Sequence, residues 1–502
     1  MRTCVLETNC MFMFLAVIFV VSIVRQSDTL ATPDKHPIIL IPGAGGSRAY
    51  ARLKNDSHAS PIQLWLNVED FLSPKRLTEL FRLNNAHLRT GNKLHVYGKS
   101  NILINQIGCH NIPQFLAVIF VVSIVRQSDT LATPDKHPII LIPGAGGSRA
   151  YARLKNDSHA SPIQLWLNVE DFLSPKRLTE LFRLRFDRKL NKSYDNENYE
   201  ITFPGWGDTY SVEYLDGRQH LFGLYFRTLV SALVKDPFFK RNSTVRGAPY
   251  DFRRTFDENQ WFEQALRQLV EDTYNGSGLN RVILVAHSLG SLYAHSFLQM
   301  QTPRWKKKYI KAYFAVSSPL GGTMKVPKAS ASGDILSVFA GNPLAFREME
   351  RSFPSFLIMA PDLRLWSPNE TIVITPRRNY SAHDIKQFFE DIGYTDGYQM
   401  MEVAKAGRDF FEGPTHVDEV YCVYGTQVPT LEQLIYGESF PDENPQILDG
   451  DGDGSVNLRS LEVCRNWNSV KEIALPGAEH LKILRDKRLI DQIKRVAGFH
   501  RN

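Results

Sequence analysis

Cysteine is scarce in this chain: five among 502 residues, Cys4, Cys10, Cys109, Cys422 and Cys464. No two have the spacing of a thiolate metal site, which argues against zinc. Charge of one sign is missing too. Lysine and arginine number 59 against 53 acids, a net +6, and no basic block is dense enough to follow a nucleic-acid backbone. Glycine at 32 and proline at 27 are too few for a collagen-like or low-complexity chain. The apolar run at 11–24 falls short of the roughly 20 residues a bilayer span needs. With Arg2 before it and the small residues Ala31 and Thr32 after it, the run fits a secretory signal peptide occupying 1–31.

What is present is ample apolar material, 43% of residues with 11% aromatic, enough for a large folded core and incompatible with dominant disorder. Asn-x-Ser/Thr sequons begin at Asn55, Asn156, Asn191, Asn242, Asn275, Asn369 and Asn379. Their density agrees with the secretory route and marks glycosylation candidates. An exact repeat stands out: 14–83 and 115–184 are identical over 70 positions, offset by 101. Solenoid units are shorter and diverge. Two copies of one strand cannot fill the same slot in a sheet. The fold is therefore expected over 133–502, with the duplicated copy and linker at 32–132 outside it and a mature chain beginning near Thr133.

From 133 onward, continuous apolar runs alternate with amphipathic stretches. Runs at 137–143, 281–286, 311–316, 420–424 and 470–475 predict strands, and 261–274 and 289–301 predict helices. Strands apolar on both faces, separated by helices, indicate an α/β fold with a covered parallel sheet.

The chemistry concentrates at the ends of these strands. Ala286-His-Ser288-Leu-Gly290 follows a strand and opens a helix, the setting of a nucleophile elbow. A serine needs a base and an acid to orient it, in the chain order Ser, Asp or Glu, His. His480, after the last strand, is the candidate base. The acid comes from the Gly-rich loop that carries Asp449, Asp451 and Asp453. That loop also imitates half of a calcium loop, but its twelfth position is Ser460 where a bidentate Glu is required. His287 and His295 read as packing residues. Oxyanion donors are expected from the amides of Leu289, directly after the nucleophile, and of Ala145 in the Gly144–Gly147 turn.

These segments resemble the lysosomal phospholipase A and lecithin–cholesterol acyltransferase family over about 137–490. The match runs through His137-Pro-Ile-Ile-Leu-Ile-Pro-Gly, Leu165-Trp-Leu-Asn168, Arg246-Gly-Ala-Pro-Tyr-Asp251-Phe-Arg-Arg254, Ala286-His-Ser288-Leu-Gly, 388–397, Tyr424-Gly-Thr, Glu438-Ser-Phe-Pro-Asp442, Gly450-Asp-Gly-Asp453-Gly-Ser-Val-Asn and Pro476-Gly-Ala-Glu-His480. The string matches favour the lysosomal branch. The resemblance implies an α/β-hydrolase fold with a small membrane-binding subdomain (about 148–185) and a cap with a mobile lid (about 320–415). It makes Ser288 the nucleophile, Asp453 the orienting acid and His480 the base, and it implies a Cys422–Cys464 disulfide. The chain departs from the family in three places. No cysteine lies within 148–185, so that segment should open more readily than the core. Ala145 stands where the lysosomal branch has Asp and the plasma branch Cys. Leu320 stands where the family has Trp.

The expected activity is serine-dependent phospholipid acyl hydrolysis and O-acyl transfer, without a cofactor. The acyl group would pass to water or to a lipid alcohol, a sterol or ceramide. A neutral lipase and a catalytically silent lipid carrier are the alternatives. The partner is a phospholipid membrane or lipoprotein surface, met by a monomer in the lysosome or outside the cell. Leu165, Trp166 and Leu167 are the expected anchor, since an indole beside leucines suits an interface; a core tryptophan is the other reading.

Overall fold

The computed structural model describes residues 136–157, 159–168, 175–217, 223–334 and 342–499, and two short strands, Ala49–Ala51 and Ile62–Leu64. The expected signal region, the linker 84–114, the sequon at Asn55 and part of the expected lid (335–341) lie outside the described residues. The chain divides into two compact units, Met1–Leu131 and Ala132–Asn502. In the first, the two short strands pair antiparallel with Tyr50 opposite Gln63 and Ala51 opposite Ile62. In the second, the identical segment again sets Tyr151 opposite Gln164 and Ala152 opposite Ile163, but a register shift places Ala150 opposite Trp166 where Ala49 faces Leu64.

The second unit is built on six parallel strands: β1 (Ile139–Ile142), β2 (Val245–Gly247), β3 (Val282–His287), β4 (Ile310–Val316), β5 (Glu419–Thr426) and β6 (Val470–Pro476), in the spatial order β6-β5-β4-β3-β1-β2. Every residue of β1 and β3 is buried, because helices cover both faces of the sheet's centre. Helix α1 (Gln260–Gly276) turns Phe262, Leu266, Leu269, Val270 and Thr273 inward at helical spacing. Helix α2 (Leu289–Met300) begins directly after β3 and is buried over most of its length. This is the α/β-hydrolase architecture. Cys422, on β5, is disulfide-bonded to Cys464 across a Cα–Cα distance of 5.6 Å.

Two additions flank the sheet. Strands Ala150–Leu154, Ile163–Trp166 and Tyr199–Thr202 form an antiparallel sheet whose third strand lies beyond the expected 148–185. A four-stranded sheet joins Thr371–Ile374 and Asn379–Ser381 to Thr430–Ile435 and Gln446–Gly450. The segment without cysteines is tied to the core at the Phe182 carbonyl. The fully buried Arg253 guanidinium bonds Asp251 and Asp195, both at 2.7 Å, and the Phe182 carbonyl at 3.1 Å.

The expected anchor is corrected here. Leu165, Trp166 and Leu167 are only 0%, 5% and 2% exposed. The Trp166 indole N–H donates to the Gly146 carbonyl at 2.6 Å, and its ring packs on Phe182 and Phe252. A buried indole whose N–H is bonded inside the protein is not placed to enter a membrane interface.

Candidate active site

Ser288 follows β3 and His480 follows β6, while Asp453, three residues after the strand Gln446–Gly450, bridges to Val428 just beyond the end of β5, so the three reactive side chains meet. Ser288 sits between β3 and α2 at φ 54°, ψ −130°, a left-handed conformation rare for a residue with a side chain. The turn is so tight that a Cβ on Gly290 would lie 2.3 Å from the Pro143 carbonyl oxygen. Only glycine fits there. After β6, His480 reaches Ser288 Oγ through Nε2 at 2.9 Å and Asp453 Oδ2 through Nδ1 at 2.7 Å. A carboxylate accepts, so Nδ1 bears the proton, Nε2 is bare, and the serine hydroxyl donates to it.

Asp453 is fully buried. Burial alone would raise its carboxyl, but the charge and hydrogen bond of His480 and the amides of Val456 and Ser455 outweigh this. Together they hold it below the ordinary carboxylate range. Of the other loop acids, Asp451 accepts the Gln427 amide at 2.6 Å and Asp449 is exposed. Asp451 and Asp453 thus point to different partners, and among the described residues no group of His, Cys, Asp or Glu is placed to hold a metal.

A cavity of about 140 Å³ opens at Ser288 and His480. Trp166, Leu167, Leu215, Val326, Phe356 and Met359 give it an apolar wall suited to an acyl chain; Ala145 lies on the same cavity. Lys325, Asp334 and Glu350 make its polar end, with Lys325 bonded to Asp334 at 3.0 Å. Leu289 opens α2, where an amide has no carbonyl of its own helix to bond.

His295 is a packing residue as expected, its Nε2 on the Glu412 carbonyl at 2.7 Å and its ring against Phe410 and Trp467. His287 is more than packing. It is fully buried, bonded through Nδ1 to Tyr225 Oη and through Nε2 to the His480 carbonyl at 2.8 Å. Burial, then the charge of His480, lower its pKa to about 3. Tyr225 also accepts the Gly144 amide at 3.0 Å. No motif in the sequence pointed to Tyr225, which lies in a loop remote from every recognisable string.

A serine–imidazole–carboxylate chain at the strand ends of a parallel sheet defines a serine hydrolase of the α/β-hydrolase class. The sequence profile of the lecithin:cholesterol acyltransferase family matches residues 163–413 and 409–487. The lysosomal phospholipase A and acyltransferase of Canis lupus familiaris is 37% identical over 394 residues, covering 75% of this chain and 95% of that protein. The phosphatidylcholine-sterol acyltransferase of Gallus gallus is 34% identical over 374 residues, 71% of this chain and 88% of that one. The lecithin-cholesterol acyltransferase-like 1 protein of Arabidopsis thaliana is 32% identical over 408 residues, 75% and 93%. The chain belongs to the lecithin:cholesterol acyltransferase family.

Proposed function

We propose that this protein is a phospholipid acylhydrolase and O-acyltransferase acting through an acyl-enzyme on Ser288. His480 takes the hydroxyl proton as Oγ attacks the ester carbonyl, then returns it to the departing lysophospholipid oxygen. Asp453 holds the imidazole in the required tautomer. The amides of Ala145 and Leu289 receive the oxyanion. Water or a lipid alcohol, a sterol or ceramide, then takes the acyl group by the reverse sequence. Moving an acyl group between oxygens is redox-neutral and needs no cofactor. The observation that carries this reading is the unbroken hydrogen-bond chain from Ser288 through His480 to Asp453, opening on an apolar-walled cavity.

The names of the relatives support the substrate class and the double outcome, hydrolysis and transfer. The enzyme works at a phospholipid membrane or lipoprotein surface as a monomer, in the lysosome or outside the cell. Asn156, Asn191, Asn242, Asn275, Asn369 and Asn379 are all exposed, as glycan attachment requires. Residues 133–502 suffice for the activity, so deleting 14–114 should preserve it. Among the described residues no helix is long and apolar enough to cross a membrane.

The test is product analysis on mixed phospholipid and triacylglycerol vesicles, with and without a sterol or ceramide. Free fatty acid and lysophospholipid, plus an acylated alcohol when the acceptor is present, are expected. Triacylglycerol cleavage alone would indicate a neutral lipase, and no product a silent lipid carrier. Ser288→Ala should abolish labelling by a fluorophosphonate; persistent labelling would remove Ser288 from the mechanism.

A further inference from the structure

Tyr225 and His287 form a buried hydrogen-bond chain whose directions follow from its ends. The His480 carbonyl can only accept, so His287 Nε2 carries a proton and donates to it at 2.8 Å. Nδ1 of the neutral ring is then a bare acceptor, and the Tyr225 hydroxyl donates to it. The same hydroxyl oxygen accepts the Gly144 amide proton at 3.0 Å. Each donor has one acceptor and no buried polar atom of the chain is left over. Three loops are joined in this way: the turn after β1, the segment holding Tyr225, and the loop after β6.

We propose that Tyr225 and His287 are positioning residues, which clamp the main chain of His480 and the oxyanion turn at Gly144 on either side of Ser288. This rests on the Ser288–His480–Asp453 reading above. The His480 backbone is held on both sides of its Cα. Its amide donates to the Asp453 carbonyl at 2.7 Å and its carbonyl accepts from His287. With both peptides fixed, the imidazole reaches Ser288 without searching. Gly144 directly precedes Ala145, so the amide bonded to Tyr225 sets the aim of the next amide in the chain. His287 keeps these directions because it stays neutral; a second ring proton would meet the Tyr225 hydroxyl head-on. The ring centroids of His287 and His480 are 4.9 Å apart, so a charge on His287 would also oppose the imidazolium that forms during turnover.

The experiment compares the full-length parent with Tyr225→Phe, His287→Ala and His287→Gln. Active sites are titrated to completion with a fluorophosphonate, and kcat per titrated site is measured on a soluble p-nitrophenyl ester. A purely structural role would lower the number of titratable sites and leave kcat per site unchanged. The clamp should lower kcat per site about 100-fold in His287→Ala and about tenfold in Tyr225→Phe, with KM within about twofold. Glutamine can donate toward the same carbonyl, so His287→Gln should recover about tenfold of the loss. Turnover per site within about twofold of the parent in Tyr225→Phe and His287→Ala would overturn the proposal, as would His287→Gln being no better than His287→Ala. Should His287→Ala fail to fold, Tyr225→Phe, which loses a single oxygen atom, decides alone. A Ser288→Ala control that still labels would refute the Ser288 reading itself, a failure separate from that of the clamp.

Discussion

Asp453 and His480 hold each other twice: the carboxylate accepts the imidazole Nδ1–H at 2.7 Å, and the Asp453 carbonyl accepts the His480 amide at 2.7 Å. Base and orienting acid are thus one unit, although 27 residues separate them.

Removing the negative charge from that unit while keeping its shape should be severe. Asp453→Asn presents an amide that favours the wrong imidazole tautomer, and kcat should fall about 10³–10⁴-fold. Asp451→Asn, two residues earlier on the Gln427 amide, should stay within about threefold. Turnover of a soluble ester measures both. Comparable losses in the two variants would contradict the assignment of Asp453.

Gly290→Ala should damage folding more than its size suggests. The added methyl carbon would meet the Pro143 carbonyl oxygen at 2.3 Å and the Ile142 carbonyl oxygen at 2.7 Å, both main-chain atoms at the end of β1. Neither can move without shifting the sheet, and the expected cost is about 1–3 kcal/mol or more. A melting temperature equal to the parent's would show that the elbow relaxes.

Trp166→Ala should act as a core truncation, costing about 3–5 kcal/mol. Melting temperature, vesicle binding and turnover of a soluble ester should therefore fall together. Selective loss of vesicle binding in a fully stable variant would restore the interfacial role that burial argues against.

Glu419 supplies a pH dependence whose sign is defined. Its carboxylate bonds Lys471 and Tyr421 at 2.6 Å each and Lys311 at 2.9 Å, linking β4, β5 and β6. Burial alone would raise its pKa, but these three partners outweigh burial and bring it from 4.5 down to about 2. A carboxyl depressed on folding contributes stability above its unfolded pKa, and that stability is lost as pH falls through the folded value. The melting-temperature difference between parent and Glu419→Gln should be constant above about pH 5 and shrink from about 4.5 toward 2. A difference independent of pH across that window would rule out the ion pairs as its source.

The sheet was legible because its strands are runs of β-branched and aliphatic residues; 281–286 differs from Val282–His287 by one residue at each end. Three-residue β2 was not, since Val245-Arg-Gly247 is too short to show any period. Ser288 and His480 were readable from strand ends and glycines. Which loop acid faces His480 was open on local grounds, because Asp449, Asp451 and Asp453 alternate with glycines and share every local property. The pairing of Asp453 beside Val428, and of Gly452 with Asn457, decides it, and both are tertiary facts. Trp166 misled for the same reason. Its hydrogen-bond acceptor lies 20 residues away and its stacking partner Phe182 on another element, and nothing in Leu-Trp-Leu announces either. Tyr225 became visible only when three loops were seen to meet on it.

The doubled hairpin gives this protein an internal spectroscopic reference. Tyr50 and Tyr151 share identical neighbours along the chain and the same cross-strand partner residue, Gln63 or Gln164. Amide resonances normally mix the influence of local sequence and pairing with that of the wider surroundings. Here local sequence and the cross-strand glutamine are matched, so a shift difference between the two amides reports what the second unit adds around Tyr151: the register shift beside it, its second partner Thr202 and the wider surroundings.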